Sequence, residues 1–338
     1  MKSILLEGPK DLRVVDRAEP SPGAATALVR PVLNGLCGSD LAAFRGKAPQ
    51  IVFPRVLGHE MLVEVEHSPT RPELEGARAV VEPIVPCGGC RSCRIGRPNC
   101  CARLRVLGVQ VDGGLTERLV LDPRRLHPVP QGLADESAVF SEPAAVAYHA
   151  VQRSGVEAGQ VAVVFGAGTI GLLITQILVR ARGCRAIVVD LDPWRLELAA
   201  GYGATTVNGK DPELAAIVDE ATAGEFADVV FEATGAPAAT RLVTELAAFG
   251  GTVVTVGWNP GPTTVDTVTL MRKELNFLGS RATTGVFPNV LRLLTDGLID
   301  TSALVSRVVD FDHAGDALQH LDAPRNNALK VLVRGAQP

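Results

Sequence analysis

Residues 161–190 read VAVVFGAGTIGLLITQILVRARGCRAIVVD, and this stretch decides the fold. Its opening run, Val161-Ala162-Val163-Val164-Phe165, is apolar and β-branched, which predicts a buried strand. Gly166-Ala167-Gly168-Thr169-Ile170-Gly171 follows with the G-x-G-x-x-G spacing. The pattern then predicts a helix over 172–182 and a second strand over 186–189 that ends at Asp190. Glycine-rich turns are common, so context gives the spacing its meaning. A strand precedes it, a helix follows, and an acid stands about twenty residues beyond the last glycine. Gly166 permits the tight turn, Gly168 lets a pyrophosphate approach the backbone, and Gly171 lets helix and sheet pack closely. Free N–H groups at the helix start attract the phosphates. Gly166, Gly168, Ile170 and Gly171 are therefore candidate dinucleotide contacts. Asp190 would accept hydrogen bonds from an adenosine ribose diol and repel a 2′-phosphate, so NAD is the expected cofactor. The plainer alternative is a βαβ unit that binds nothing.

On both sides of this core the chain has room for a second domain: it is 338 residues long, 46% hydrophobic and 21% charged. That composition fits a soluble globular enzyme. A net charge of −4 argues against nucleic acid or an anionic membrane as the main partner. No signal peptide is read at the start, where Ile4-Leu5-Leu6 stops at Glu7. The most span-like segment, 161–178, is interrupted by three glycines, Thr169, Thr175 and Gln176.

Residues 1–135 carry short strand-like runs at 12–15, 27–30 and 61–65, separated by Pro20, Pro22-Gly23, Pro49, Pro83 and Pro86. This predicts a compact all-β domain with long loops. A helix over 142–154 ends at Gly155 and leads into the nucleotide region. There, strands at 205–207, 227–232 and 252–256 alternate with helices at 194–202, 212–222 and 238–248, which predicts a doubly wound parallel sheet. A helix over 286–295 and a strand over 329–333 return to the first domain. The expected division is 1–150 with 285–338 as one domain and 151–284 as an inserted dinucleotide-binding domain.

Seven cysteines are present, and Cys87, Cys90, Cys93 and Cys101 form C-x2-C-x2-C-x7-C. Four thiolates on one loop suit a closed, tetrahedral, structural zinc site. Spacing alone does not choose between Cys101 and its neighbour Cys100. An iron–sulfur cluster fits less well, because the last gap is too long for the bacterial ferredoxin run. Without a secretory signal the cluster points to metal rather than disulfides, and to a reducing, cytoplasmic setting. A second set is scattered: Cys37 in Cys37-Gly38-Ser39-Asp40, and His59-Glu60 after Gly58. One thiolate, one imidazole and one carboxylate would suit a catalytic zinc with an open position. Taken singly, each has an ordinary reading as a buried thiol or a solvated pair.

With these motifs in order, the sequence resembles the zinc-dependent medium-chain alcohol and polyol dehydrogenases. The resemblance rests on C-G-S-D at Cys37, G-H-E at Gly58, the four-cysteine loop, D-G-G at Asp112, E-P at Glu142, the glycine fingerprint and L-K-V at Leu329. It implies an α/β fold: a GroES-like β-rich catalytic domain plus a Rossmann nucleotide domain. It implies that Cys37, His59 and Glu60 hold a catalytic zinc, that Glu142 ligates the metal or binds its water, and that Cys101 is the fourth structural ligand. It also makes Asp190 and Arg195 the adenosine-ribose pair, and Val256, Gly257 and Trp258 the nicotinamide-side segment, with Arg281 beside it. The cofactors implied are two zinc ions, one catalytic and one structural, and NAD. A homodimer or homotetramer is expected, with no nucleic-acid or membrane partner.

Within the family the chain looks most like the sorbitol, threonine and sugar-acid 5-dehydrogenase branch. The run 53–60 and Gly279-Ser280-Arg281 look closest to galactonate/gulonate-type enzymes. Three departures stand out: Val63 replaces a signature glycine, Ala42 a proton-relay histidine, and Ala282-Thr283 the Arg-Tyr pair of sorbitol dehydrogenases. The expected reaction is oxidation of a secondary alcohol on a small polyol or sugar acid to the ketone, with Ser39 taking the hydroxyl proton. Beyond Ser39, two routes stay open, one through ribose and water and one through Glu142. Arg45 and Arg281 are candidate partners for a substrate carboxylate, since arginine pairs with carboxylates in a planar fork. Alternatives are a threonine or simple secondary-alcohol dehydrogenase, a zinc-free quinone or enoyl reductase, and a non-catalytic nucleotide-binding protein on the same fold.

Overall fold

The computed structural model describes residues 1–259, 261–323 and 327–336. The chain forms two compact units. One comprises Met1–Glu142, Phe287–Thr295 and the chain from Thr301 onward; the other comprises Pro143–Val286 and Asp296–Asp300. The division falls at Glu142/Pro143, inside the helix Ser141–Ser154, rather than at residue 150. The helix is continuous across the division, so the pattern of apolar residues gives no boundary signal there.

In the first unit the strand Ala27–Leu36 is the hub. It pairs antiparallel with Glu60–His67, with Lys330–Arg334 and with Leu119–Leu121. Leu126–Pro128, Arg78–Val81 and Val305–Val309 extend this seven-stranded sheet. Lys2–Gly8 pairs with Asp11–Asp16 and Arg55–Val56 in a smaller sheet. Apolar clusters fill the unit. Leu6, Leu36, Phe44, Val56, Leu57, Leu115 and Val331 belong to one, and Val29, Met61, Val63, Val65, Val81 and Leu126 to another.

Register in the large sheet places the chemistry. Gly35 stands opposite Glu60, and Leu36 opposite Val331. Three segments remote in sequence, ending at Cys37, beginning at His59 and beginning at Lys330, therefore meet at one end of the sheet. The D-G-G motif braces the middle one. Asp112 accepts from Arg55 Nη1 at 2.8 Å, from Val56 N at 3.2 Å and from Arg17 Nη1 at 2.9 Å. Gly58 has φ +97°, a left-handed conformation that favours glycine, and a Cβ on Gly113 would collide with its carbonyl.

The second unit holds a six-stranded parallel sheet. Its order is Thr205–Asn208, Arg185–Asp190, Val161–Phe165, Ala227–Glu232, Ala247–Thr255, Asn276–Gly279. In chain order that is 3-2-1-4-5-6, the Rossmann arrangement, with the switch between Val161–Phe165 and Ala227–Glu232. All five residues of Val161–Phe165 are buried. The fingerprint helix begins at Thr169 and becomes a π-helix over Ile177–Ala181. The helix expected over 238–248 ends at Leu246, and Ala247 already belongs to the next strand. Alanine adopts either state without penalty from a branched side chain, so the local pattern does not mark that boundary.

Candidate active site

Cys37 caps the helix Gly38–Phe44, and the third helical residue, Asp40, closes a capping box by accepting from Cys37 N at 2.9 Å. The donor atoms of Cys37, His59 and Glu60 all lie within 4.8 Å of one another. Asp40, only 1% exposed, presents Oδ1 3.6 Å from His59 Nδ1. At 3.6 Å the two make no direct hydrogen bond, and the Asp40 carboxylate acts on the ring through its charge. The other ring nitrogen, Nε2, is 3.3 Å from Ser39 Oγ. Burial works against a charged His59 ring, but Asp40 and Cys37 outweigh it and hold the ring's pKa well above its usual value.

Glu60, also 1% exposed, takes both carboxylate oxygens to Lys330 Nζ, at 2.6 and 2.7 Å. Lys330 further donates to Leu36 O at 3.2 Å. A Cβ on Gly35 would collide with Glu60 Oε2, so the missing side chain makes room for the carboxylate. Glu142 does not join the 4.8 Å cluster. Before any metal charge is counted, burial lifts its carboxyl to about 7; nearby Glu60 and Asp40 push the same way, against His59 and Lys330. The N, S and O donor set and the carved space at Gly35 fit a three-ligand zinc site with an open position.

The second metal group is Cys87, Cys90, Cys93 and Cys101, again with donor atoms within 4.8 Å. Cys101 Sγ accepts from Cys87 N and Arg103 N, each at 3.3 Å. Backbone N–H groups of Gly89 and Cys90 lower the Cys87 thiol to about 6. Cys100 closes the 3-10 turn Pro98–Cys100 and is outside the group. Successive side chains in such a turn point about 120° apart, so only one of the two adjacent thiols faces the cluster.

In the second unit Gly168 is the N-cap of the helix Thr169–Gln176, and Ile170 lies in its first turn. A Cβ on Gly171 would collide with the Gly166 carbonyl. Asp190 ties the fingerprint turn to the second strand, accepting from Ala167 N at 2.6 Å and Asp192 N at 2.9 Å. Arg195 reaches the space beside Gly168, 3.9 Å from where a Cβ would stand. Val256 and Gly257 follow the strand Ala247–Thr255; Trp258 is 71% exposed, and Arg281 is exposed too.

Two residues of these sites carried no role in the sequence reading: Asp40 and Lys330. Asp40 and Lys330 lie inside quoted motifs, and the three-residue step from Cys37 to Asp40 was the available signal. One expectation is corrected. Arg45 Nε is 2.5 Å from Asp322 Oδ1, and Lys10 Nζ holds the other oxygen at 3.2 Å. Its guanidinium is already paired with a carboxylate of the same chain, so we withdraw it as a substrate contact.

Comparison with known proteins places these sites in a family. Residues 23–131 match the alcohol dehydrogenase GroES-like domain, and residues 169–296 match the zinc-binding dehydrogenase model. Starvation-sensing protein RspB of Escherichia coli K12 is 34% identical, over 98% of this chain and 99% of that protein. L-galactonate-5-dehydrogenase of the same organism is 33% identical, over 92% of both chains. The crystal structure of the rspB alcohol dehydrogenase from Escherichia coli CFT073, complexed with NADH, superposes with a TM-score of 0.93 at 33% identity, covering 99% of both chains. The chain belongs to the zinc-type alcohol dehydrogenase family. It is an oxidoreductase acting on CH–OH groups, with zinc and a nicotinamide dinucleotide as cofactors. Among the described residues no helix is long and apolar enough to cross a membrane.

Proposed function

We propose that this chain oxidises a secondary hydroxyl of a small sugar acid of the aldonate class to the ketone, with NAD as hydride acceptor. The observation that carries the chemistry is the cluster of Cys37, His59 and Glu60 in a chain with a dinucleotide fingerprint. Zinc held there supplies Lewis acidity toward the substrate oxygen, and the nicotinamide supplies the redox chemistry. Asp40 faces the His59 ring with its charge, and Lys330 neutralises the buried Glu60. Ser39, beside His59, takes the hydroxyl proton, and Ala42 offers no relay beyond it. Glu142 is the further acid of the site, as a part-time metal ligand or a partner to water. Cys87, Cys90, Cys93 and Cys101 hold the structural ion.

The sugar-acid relatives support the substrate class, and Arg281, in the segment Gly279-Ser280-Arg281 that looks closest to galactonate/gulonate-type enzymes, is the candidate partner for its carboxylate. A panel of aldonates, neutral polyols, threonine and simple alcohols, followed by NADH absorbance, tests this. Aldonates are expected to give the highest kcat/KM, and Arg281→Ala to raise KM for an aldonate more than for a polyol. Good turnover of threonine or polyols with every aldonate inert would remove the acid assignment and leave the dehydrogenase.

Asp190 supports NAD over NADP, because its carboxylate stands where the adenosine ribose of a dinucleotide is read. We expect kcat/KM to favour NAD by about 10- to 100-fold, at about 1.4 kcal/mol per tenfold, with Arg195 moderating the preference. Asp190→Ala should narrow the ratio, and a wild-type preference for NADP would contradict the role given to Asp190.

A second copy of the chain is the proposed partner. Asn276–Gly279 is an edge strand of the parallel sheet, and its Phe277 is exposed, as are Val268 and Met271 of the helix Thr267–Arg272. Edge strands and exposed large apolar side chains favour self-association. Light scattering is expected to give at least a dimer; a monomer at micromolar concentration would refute it. Seven cysteines, none of them in a disulfide among the described residues, support the cytoplasm as the compartment.

A further inference from the structure

We propose that Glu232 is a positioning residue, whose carboxylate fixes the loop 234–235 that packs against residues 256–258, the segment assigned to the nicotinamide half of the dinucleotide. This rests on the assignment of residues 256–258 to that half. Glu232 ends the strand Ala227–Glu232, the first strand across the switch point from Val161–Phe165. In such sheets ligands bind beyond the carboxyl ends of the strands at this crevice.

The side chain is 1% exposed and turns onto its own loop. Oε1 accepts from Thr234 N at 2.8 Å, from Gly235 N at 2.9 Å and from the Thr234 hydroxyl. The main-chain carbonyl of the same residue accepts from Val256 N at 2.8 Å and Gly257 N at 2.9 Å. One residue thus holds 234–235 with its side chain and 256–257 with its backbone.

The two loops press together so closely that glycine is required on both. A Cβ on Gly257 would stand 2.7 Å from Glu232 Oε2, and one on Gly235 would collide with the Trp258 carbonyl. The fingerprint leans on the same loop, since a Cβ on Gly166 would lie 2.8 Å from Thr234 Cγ2. Three strand ends therefore converge on Glu232. A buried carboxylate is costly unless its oxygens are hydrogen-bonded, and charge-assisted bonds from backbone N–H groups are among the stronger ones. The cost is met here by bonds that fix loop positions. An apolar side chain would leave the Thr234 and Gly235 donors without their acceptor.

Calorimetry on the zinc-loaded enzyme tests the proposal by comparing NADH with ADP-ribose, which lacks the nicotinamide. Glu232→Leu is expected to weaken NADH by at least about tenfold and ADP-ribose by less than about threefold, the loss of several bonds at one half of the ligand. Glu232→Gln keeps an oxygen at Oε1 and should hold both ligands within about threefold of the parent. Equal weakening of both ligands by Glu232→Leu, or no weakening, would overturn the proposal. So would a Gln variant as impaired as the Leu variant. Should Glu232→Leu fail to fold, Thr234→Val removes one Oε1 donor and is expected to weaken NADH alone; an unchanged NADH affinity overturns the proposal there too. Val256→Trp separates the underlying assignment. If NADH ignores that bulky side chain, the assignment of 256–258 falls and the proposal with it. If NADH responds while Glu232→Leu is silent, only the positioning role falls.

Discussion

Cys37→Ala is expected to lower kcat/KM by at least about a thousandfold, roughly 4 kcal/mol of transition-state stabilisation, with ADP-ribose binding within about twofold of wild type. The size follows from the role. A metal ion that polarises the substrate oxygen contributes several kcal/mol, and a site with one of three protein ligands removed no longer holds it in place. The selectivity follows from the fold. Cys37, His59 and Glu60 belong to the first compact unit, whereas the fingerprint glycines and Asp190 belong to the second. Zinc content should fall from two per chain to one, which separates loss of metal from loss of fold. His59→Ala should behave alike. Glu142→Ala should cost less, because Glu142 does not join the ligand cluster. Wild-type turnover by Cys37→Ala would show that the cluster is not the catalytic metal site.

Cys101→Ser is expected to act on stability rather than on chemistry, with loss of the loop's zinc and aggregation or a much lowered unfolding midpoint. Structural zinc sites of this kind contribute on the order of 10 kcal/mol in isolated zinc peptides, a large quantity beside the net stability of a domain. The loop has little else to hold it. Its helical pieces are the four-residue Arg91–Arg94 and the three-residue Pro98–Cys100, and Arg91, Arg94, Arg97 and Ile95 are exposed. The matched control is Cys100→Ser, which should keep both zinc ions and the parent's midpoint. Metal analysis with calorimetric or chemical unfolding decides. A Cys101→Ser protein that retains two zinc ions, or iron in place of zinc in the parent, would overturn the assignment.

Much of the nucleotide unit was legible because its signals are local. The five residues of Val161–Phe165 are consecutive, apolar and buried, and the fingerprint follows at once. The strand Asn276–Gly279 was not read, because four edge residues with a polar start carry neither alternation nor a long apolar run. In the active site Cys37, His59 and Glu60 stood out as residue types, but their meeting depends on the Gly35–Glu60 register, which no local pattern prints. Lys330 is the extreme case. Its partners Leu36 and Glu60 are 294 and 270 residues away in sequence, so only the closed sheet reveals it. Arg45 failed for the opposite reason: a side chain promising in sequence had its carboxylate partner in the same chain.

The long separation of Lys330 from Leu36 also orders events on the ribosome. Residues 143–286 are contiguous and emerge while the first unit still lacks its last strands, so the nucleotide-binding body can fold as an insert in an unfinished host. The strand Lys330–Arg334, which brings the cation for Glu60, is made 270 residues after its partner. At ordinary synthesis rates of about 5–20 residues per second, the 294 residues between Leu36 and Lys330 take roughly 15–60 s to appear. Until Lys330 appears, Glu60 lacks the ammonium partner that it has in the folded chain, and the catalytic pocket is incomplete. A nascent chain arrested near residue 320 should therefore already bind ADP-ribose while failing to retain a second zinc ion. Retention of both ions by the arrested chain would show that the pocket matures without the strand Lys330–Arg334.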